Sequence, residues 1–316
     1  MKVWMKLLCG LCIAVMLAVI LFWGRVLSRL YIYETFSIPT TSMVPTLIPG
    51  DRVVVDKRVL GARIASDESY GESGVLECRR LKGRRQLCVG DVVVFNHPYG
   101  WKNRRIGFKW NKVYAKRCLG CPGDTVGLRD GWCWNARLER EVQGACRTGK
   151  EESAEDGRTV SVAPYLLGDG QQQAAYARMS DGDIGEHVLR PGWLRNIDST
   201  WTVHDFGPLY VPRRGDTISL TPRHWRTYGY LVEYETGRPC RLQDETVYVG
   251  DSAFTHYVFR HDYYYFIGDN IANSNDSRHW GFVPDDYIIG VAGRVFWSRD
   301  RDTGRMRRDR FWKKIE

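Results

Sequence analysis

From Leu7 to Trp23 the chain reads LLCGLCIAVMLAVILFW, an uncharged apolar run with Lys2 and Lys6 before it and Arg25 and Arg29 after it. Its 17 residues sit at the short end of a membrane-spanning helix. The competing reading is a secretory signal, whose apolar core is usually about 7–15 residues and whose cut would follow Val26-Leu27-Ser28. The length favours an uncleaved anchor. Two basic residues flank each end, so the positive-inside rule leaves the orientation open.

Past the anchor the pattern changes to short β-branched runs, each opened by a turn. It recurs in Pro49-Gly-Asp-Arg-Val-Val-Val, Val89-Gly-Asp-Val-Val-Val-Phe, Pro122-Gly-Asp-Thr-Val and Arg214-Gly-Asp-Thr-Ile. Gly-Asp carries the turn chemistry and a strand follows at once. This predicts a mostly β protein, an antiparallel sheet or barrel-like body behind an N-terminal transmembrane helix. Strong amphipathic helical periodicity is absent from the central chain, so no helix is predicted there. Ser66 to Lys82 is polar and reads as an exposed loop or hairpin. From about Arg129 to Asp205, charge, glycine and the run Gln171-Gln-Gln-Ala-Ala suggest an insertion or cap. The core pattern resumes at Phe206. An aromatic strand at Tyr263 then runs into a polar loop closed by Trp280-Gly281. The expected plan is an anchor over 1–28 with its helix at about 7–23, a catalytic β core over 29–128 and 206–316, and an insertion over 129–205.

Composition narrows the class. A chain of 316 residues that is 43% hydrophobic can bury a sizeable core, which excludes a disordered polymer. The net charge of +9 favours anionic partners, and much of it is local. Arg305 to Lys314 holds six basic residues against Asp309, with Phe311 and Trp312 among them. That stretch is either a solvated tail or a contact for acidic lipid headgroups. No recognition motif accompanies the charge, so nucleic acid is not an expected partner. Seven of the nine cysteines lie beyond the anchor. Cys78–Cys88 and Cys133–Cys146 are the local pairs to test if the body lies in an oxidising compartment, although connectivity does not follow from sequence. Cys118-Leu-Gly-Cys121 has zinc or redox spacing, but no second pair follows, and no metal or other cofactor is expected.

The candidate chemistry centres on Phe36-Ser-Ile-Pro-Thr-Thr-Ser-Met-Val-Pro-Thr-Leu47. Pro39 and Pro45 disfavour both strand and helix around Ser42. This is either a rigid surface turn or a device for aiming a hydroxyl. A nucleophilic serine needs a base. None of the seven histidines lies in a recognisable catalytic motif, although a triad assembled in space stays open. Lysine is the other candidate. In Val113-Tyr-Ala-Lys-Arg-Cys-Leu119 a two-residue period puts Tyr114, Lys116 and Cys118 on one face and turns Arg117 away. A guanidinium does not deprotonate in proteins, so Lys116 is the only base of that cationic pair. Bringing a lysine from about 10.4 to near 7 requires roughly 4 kcal/mol of bias against its charge, which apolar burial can supply. Taken alone, the stretch reads better as an exposed strand lysine than as a base.

Three segments together resemble the bacterial type I signal peptidases, the membrane-anchored Ser/Lys proteases. They are Ser-Met-x-Pro-Thr-Leu at Ser42, Lys-Arg-x-x-Gly-x-Pro-Gly-Asp at Lys116, and Gly-Asp-Asn-x-x-x-Ser-x-Asp-Ser-Arg-x-Trp-Gly at Gly268. The resemblance implies a serine endopeptidase that removes N-terminal signal peptides from exported preproteins after small residues. It implies Ser42 as nucleophile and Lys116 as general base. The oxyanion would rest on the Ser42 backbone N–H and the Thr40 hydroxyl, where many relatives carry Ser followed by Gly and this chain has Thr40-Thr41. Ser274 would hold the lysine, while Asp276 and Arg278 would brace the site. Phe36, Ile38 and Tyr114 would line the substrate pockets, and an extended substrate would add to a strand edge. The expected partners are signal peptides, the bilayer and the export machinery. The resemblance also implies a single-pass protein of the cytoplasmic membrane, with its N-terminus inside and its body outside. A processing protease for one exported substrate, a self-cleaving Ser/Lys protease and a non-catalytic membrane-anchored β scaffold are the alternatives.

Overall fold

Four copies of one turn steer the chain in the computed structural model, which describes residues 2–65, 78–98, 106–108, 111–129, 132–138 and 192–315. Gly50, Gly90, Gly123 and Gly215 have φ between +85° and +96°. A type II turn needs that conformation at its third position, and a side chain would strain it. The aspartate after each glycine closes the turn twice. Its N–H donates to the carbonyl three residues back, and its carboxylate accepts the N–H of that same residue. An arginine then pairs with each carboxylate: Arg310 with Asp51, Arg85 with Asp91, Arg137 with Asp124 and Arg213 with Asp216. Strands leave these turns at Asp51, Val92, Thr125 and Thr217.

The main sheet is built from β1 (Tyr33–Ser37), β2 (Asp51–Asp56), β3 (Val92–Asn96), β4 (Val113–Gly120), β5 (Tyr263–Ile267), β6 (Val283–Pro284) and β7 (Ile288–Ser298). Its order is β1-β2-β7-β3-β4-β5-β6, antiparallel throughout and curled into a half-barrel. The mostly β, antiparallel expectation holds. β3 is buried along its whole length because both faces of the sheet are covered, which is why it reads as continuous Val-Val-Val-Phe. Val92 and Val94 pack with Ile38, Met43, Leu47, Val53 and Val55 on one side. Val93, Phe95, Cys118 and Phe266 enter a larger cluster on the other.

One expectation fails in that larger cluster. Pro222–Thr236 is a 15-residue helix, α2 (α1 being Lys2–Tyr31), where none was predicted. Its buried face includes Thr227, Tyr228, Gly229 and Tyr234 beside Leu231 and Val232, so polar and aromatic residues blur the apolar period. Its ends were the legible signal: Thr221 caps the N-terminus, Pro222 follows, and Gly237 closes the C-terminus in the left-handed region.

The anchor also exceeds its predicted bounds. α1 continues without a break past Arg25 and Arg29, since the apolar run marks the membrane interior and not the end of the helix. Within it, Cys9–Tyr31 is long and apolar enough to cross a bilayer, and its 23 residues extend about 34 Å. Lys57 Nζ donates to the carbonyls of Arg29 and Leu30 at the helix end and pairs with Glu34 at 2.7 Å. The helix therefore meets the sheet through a fixed junction.

Two basic residues of the C-terminal stretch turn inward, so it is not simply a solvated tail. Arg307 reaches the Pro49 carbonyl and Asp300. Arg310 pairs with buried Asp51 at 2.5 Å and donates to the Thr46 carbonyl at 2.9 Å. Arg310→Ala leaves the Asp51 carboxylate buried without its cation and should cost about 3–5 kcal/mol. Chemical denaturation with an unchanged midpoint would show that the tail does not hold this turn. Cys78 and Cys88 are both free thiols. Cys146, most of the stretch from Ser66 to Lys82, and residues 139–191 of the expected insertion lie outside the described residues. Its described ends, Cys133, Leu194 and Ile197, are buried in the larger cluster.

Candidate active site

Ser42 lies in the turn after β1, between buried Thr41 and buried Met43. Lys116 Nζ donates to Ser42 Oγ at 2.5 Å. Lys116 is 3% exposed, on the sheet face it shares with Tyr114, whose ring centre is 5.6 Å from Nζ. Burial pushes the ammonium down to about 8, against the attraction of Asp276 and Asp269 and with help from the Arg278 charge. Thr40 is exposed, with Oγ1 3.4 Å from Ser42 Oγ. Among the described residues, the side chains hydrogen-bonded at Ser42 Oγ are Lys116 and Thr40, and no histidine reaches it.

A loop after β5 backs the serine, as the third motif suggested. Asp276 and Arg278 are buried and paired at 2.8 Å. Burial works against ionising Asp276, but the Arg278 charge and hydrogen bonds outweigh it and hold the carboxyl at about 2. The second Asp276 oxygen accepts the Gly268 N–H, and Arg278 reaches the carbonyls of Ile271 and Val203. A side chain at Gly268 would strike both Ser274 Oγ and the Ser42 carbonyl, so the loop passes at backbone distance beneath the serine. Ser274 itself departs from expectation. Its Oγ is buried and makes no hydrogen bond among the described residues, so the bond to Lys116 is not formed here.

Several contacts escaped the sequence reading. Asn270 N–H donates to the Ser42 carbonyl at 3.1 Å, and Asn270 Nδ2 donates to the Thr41 carbonyl at 3.2 Å. Asn273 Nδ2 donates to Thr41 Oγ1 at 3.1 Å. The Thr41 hydroxyl thus pins the serine turn to the supporting loop. Arg117, turned away from Lys116 as predicted, pairs with Asp269 at 2.6 Å and donates to Thr46 Oγ1 and the Gly90 carbonyl. The alternation of β4 already put a cation on the far face. A buried cation there needs an anion, and that is the signal that points to the Asp of Gly-Asp-Asn.

The pocket candidates pack on two different core clusters. Tyr114 packs on the larger cluster beside Lys116, and its ring meets that of His97 in a tilted contact with centres 4.7 Å apart. Phe36 and Ile38 pack on the opposite cluster, where Ile38 is 6% exposed.

A family model for signal peptidase, peptidase S26, matches residues 5–171 and 214–297. The chain is 23% identical over 273 residues to signal peptidase I of Buchnera aphidicola subsp. Schizaphis graminum, covering 86% of this chain and 70% of that protein. It is 26% identical over 272 residues to signal peptidase I of Aquifex aeolicus, covering 85% and 78%. For the Pseudomonas aeruginosa signal peptidase I the identity is 27% over 281 residues, covering 85% and 66%. With most of its length matched and a lysine amine held against a serine hydroxyl, the chain belongs to the signal peptidase family, peptidase S26.

Proposed function

We propose that this protein cuts signal peptides from exported preproteins with Ser42 as nucleophile and Lys116 as general base. Family membership supports signal-peptide removal by a serine peptidase. The observation that carries the finer reading is the buried lysine amine at 2.5 Å from Ser42 Oγ. The neutral amine takes the hydroxyl proton as Ser42 attacks the scissile carbonyl, then returns it to the leaving amine. The oxyanion rests on the Ser42 N–H and the Thr40 hydroxyl. The buried, unbonded Ser274 hydroxyl orients the amine once substrate is bound. Asp276 and Arg278 brace the loop beneath. Phe36 and Tyr114 wall the pockets, with Ile38 as a floor, and small pockets select small residues before the cut. In this assignment residues 1–28 anchor the protein, 29–128 and 206–316 form the catalytic body, and 129–205 are an insertion. The N-terminus faces the cytoplasm and the body lies outside the cytoplasmic membrane, where preproteins leave the export machinery.

The test is incubation of the full chain, in detergent, with a preprotein whose signal ends Ala-x-Ala. Product masses should place the cut directly after the second alanine. The rate should rise with pH, because only the neutral amine is a base. With the lysine at about 8, about one molecule in ten is active at pH 7 and nine in ten at pH 9. A profile flat from pH 5 to 10 rules out a lysine base.

A further inference from the structure

Cys118 and Cys121 occupy positions that the motif Lys-Arg-x-x-Gly-x-Pro-Gly-Asp leaves open, so the dyad chemistry does not account for them. Their sulfurs lie 3.7 Å apart. Both are buried in the larger core cluster, at 0% and 7% exposure. The remaining sulfur contacts are carbonyls, Gly120 for Cys118 and Leu87 for Cys121. No histidine or carboxylate completes a zinc set among the described residues. The nearby Asp124 carboxylate is already engaged by the Cys121 N–H, Asn135 and Arg137. Two thiols in contact with no third soft ligand suit a covalent link better than a metal. Between them, Gly120 is tightly enclosed by Val126, Val211 and Tyr265, which holds the two cysteines in place.

We propose that Cys118 and Cys121 form a disulfide in the mature enzyme, made by exchange with a disulfide-bearing oxidant as the body folds. One thiolate attacks the donor disulfide and displaces one donor sulfur, giving a mixed disulfide. The second thiolate then displaces the other donor sulfur. One S–S bond forms in the enzyme and one breaks in the donor. The donor leaves as two thiols, carrying the electron pair and both protons. Because the pair is buried in the folded body, the donor reaches it before β4 docks, and the finished bond is shielded from reductant. The link closes the exit of β4 onto the Pro122-Gly123-Asp124 turn, two residues beyond Lys116, and so braces the lysine strand. Formation in the cell rests on the proposed placement of the body outside the cytoplasm.

The test is peptide mass mapping of the full-length enzyme, alkylated under denaturing, non-reducing conditions. One sample comes from membranes. A second is reduced, unfolded and refolded with oxidised and reduced glutathione. The expected result is an unalkylated peptide in both, linking Cys118 to Cys121 and about two mass units below its reduced form. Alkylation of both cysteines in both samples, or either one joined elsewhere, overturns the proposal. Free thiols from membranes with a link only after refolding overturn the disulfide of the mature enzyme, and mark the outside placement, not the geometry of the pair, as the premise that failed. The double variant Cys118→Ala/Cys121→Ala should melt about 3–6 °C lower and keep preprotein cleavage within about threefold. Wild type refolded in reductant should show the same loss of melting temperature, which separates the missing link from missing sulfur volume. No drop in that sample overturns the bracing role.

Discussion

Ser42→Ala and Lys116→Ala should each lower kcat/KM on a preprotein ending Ala-x-Ala by about 10⁴- to 10⁶-fold, the loss expected when one member of a nucleophile–base unit is removed. Without the Ser42 hydroxyl no acyl-enzyme forms. Without the amine, 2.5 Å from that hydroxyl, its proton has no base to accept it. Lys116→Arg is the sharper variant, since it keeps the positive charge but supplies a group that does not deprotonate. It should be as inactive as alanine. Lys116→Met separates catalysis from folding. The amine is buried at 3% exposure and burial disfavours its charge, so an apolar replacement of similar length should not lower the melting temperature while it removes activity. Retention of a tenth of wild-type kcat/KM by any of these variants rejects the dyad.

Arg278→Ala should destabilise the body by about 3–5 kcal/mol and take activity with it. The change strands the Asp276 carboxylate, which is fully buried, and removes the donor to the Ile271 and Val203 carbonyls. The damage is local to catalysis because the same loop carries Asn270 and Asn273, whose hydrogen bonds hold the turn bearing Ser42. Arg278→Lys should recover little, since an ammonium does not bond both carboxylate oxygens and two carbonyls in one plane. The pH dependence has a definite sign. The folded carboxyl of Asp276 sits at about 2, below its ordinary 3.8. Its contribution to stability is therefore full above about pH 4 and is lost as pH falls through about 2. Urea midpoints measured at neutral pH check the first claim. A variant within 1 kcal/mol of wild type would mean that the pair does not support the site.

The supporting loop also shows how far the sequence could be read. Asp276 and Arg278 stand out as opposite charges two apart, and they are indeed paired. Asn270 and Asn273 are no more conspicuous than any loop asparagine. Their importance comes from the partners they meet, Thr41 and Ser42, more than 200 positions earlier in the chain. Helix α2 was missed for a related reason. Its buried face is partly tyrosine and threonine, and only packing against the surrounding core makes those residues interior ones.

Periodicity and turn chemistry, both local, were enough for the anchor, the antiparallel β class, the four Gly-Asp turns and the face of β4 that carries Lys116. These depend on φ preferences, alternation and apolar length, which are properties of neighbouring residues. Only the folded chain sets the approach of Lys116 to Ser42, 74 positions apart, and the lowered proton affinity of the amine. The same holds for the ion pairs of Arg117 and Arg310 with distant aspartates, and for the absence of a Ser274 bond to the lysine. Distance and burial between remote segments arise when the sheet curls and its two faces are covered. Desolvation then decides which charges need partners and which amine gives up its proton.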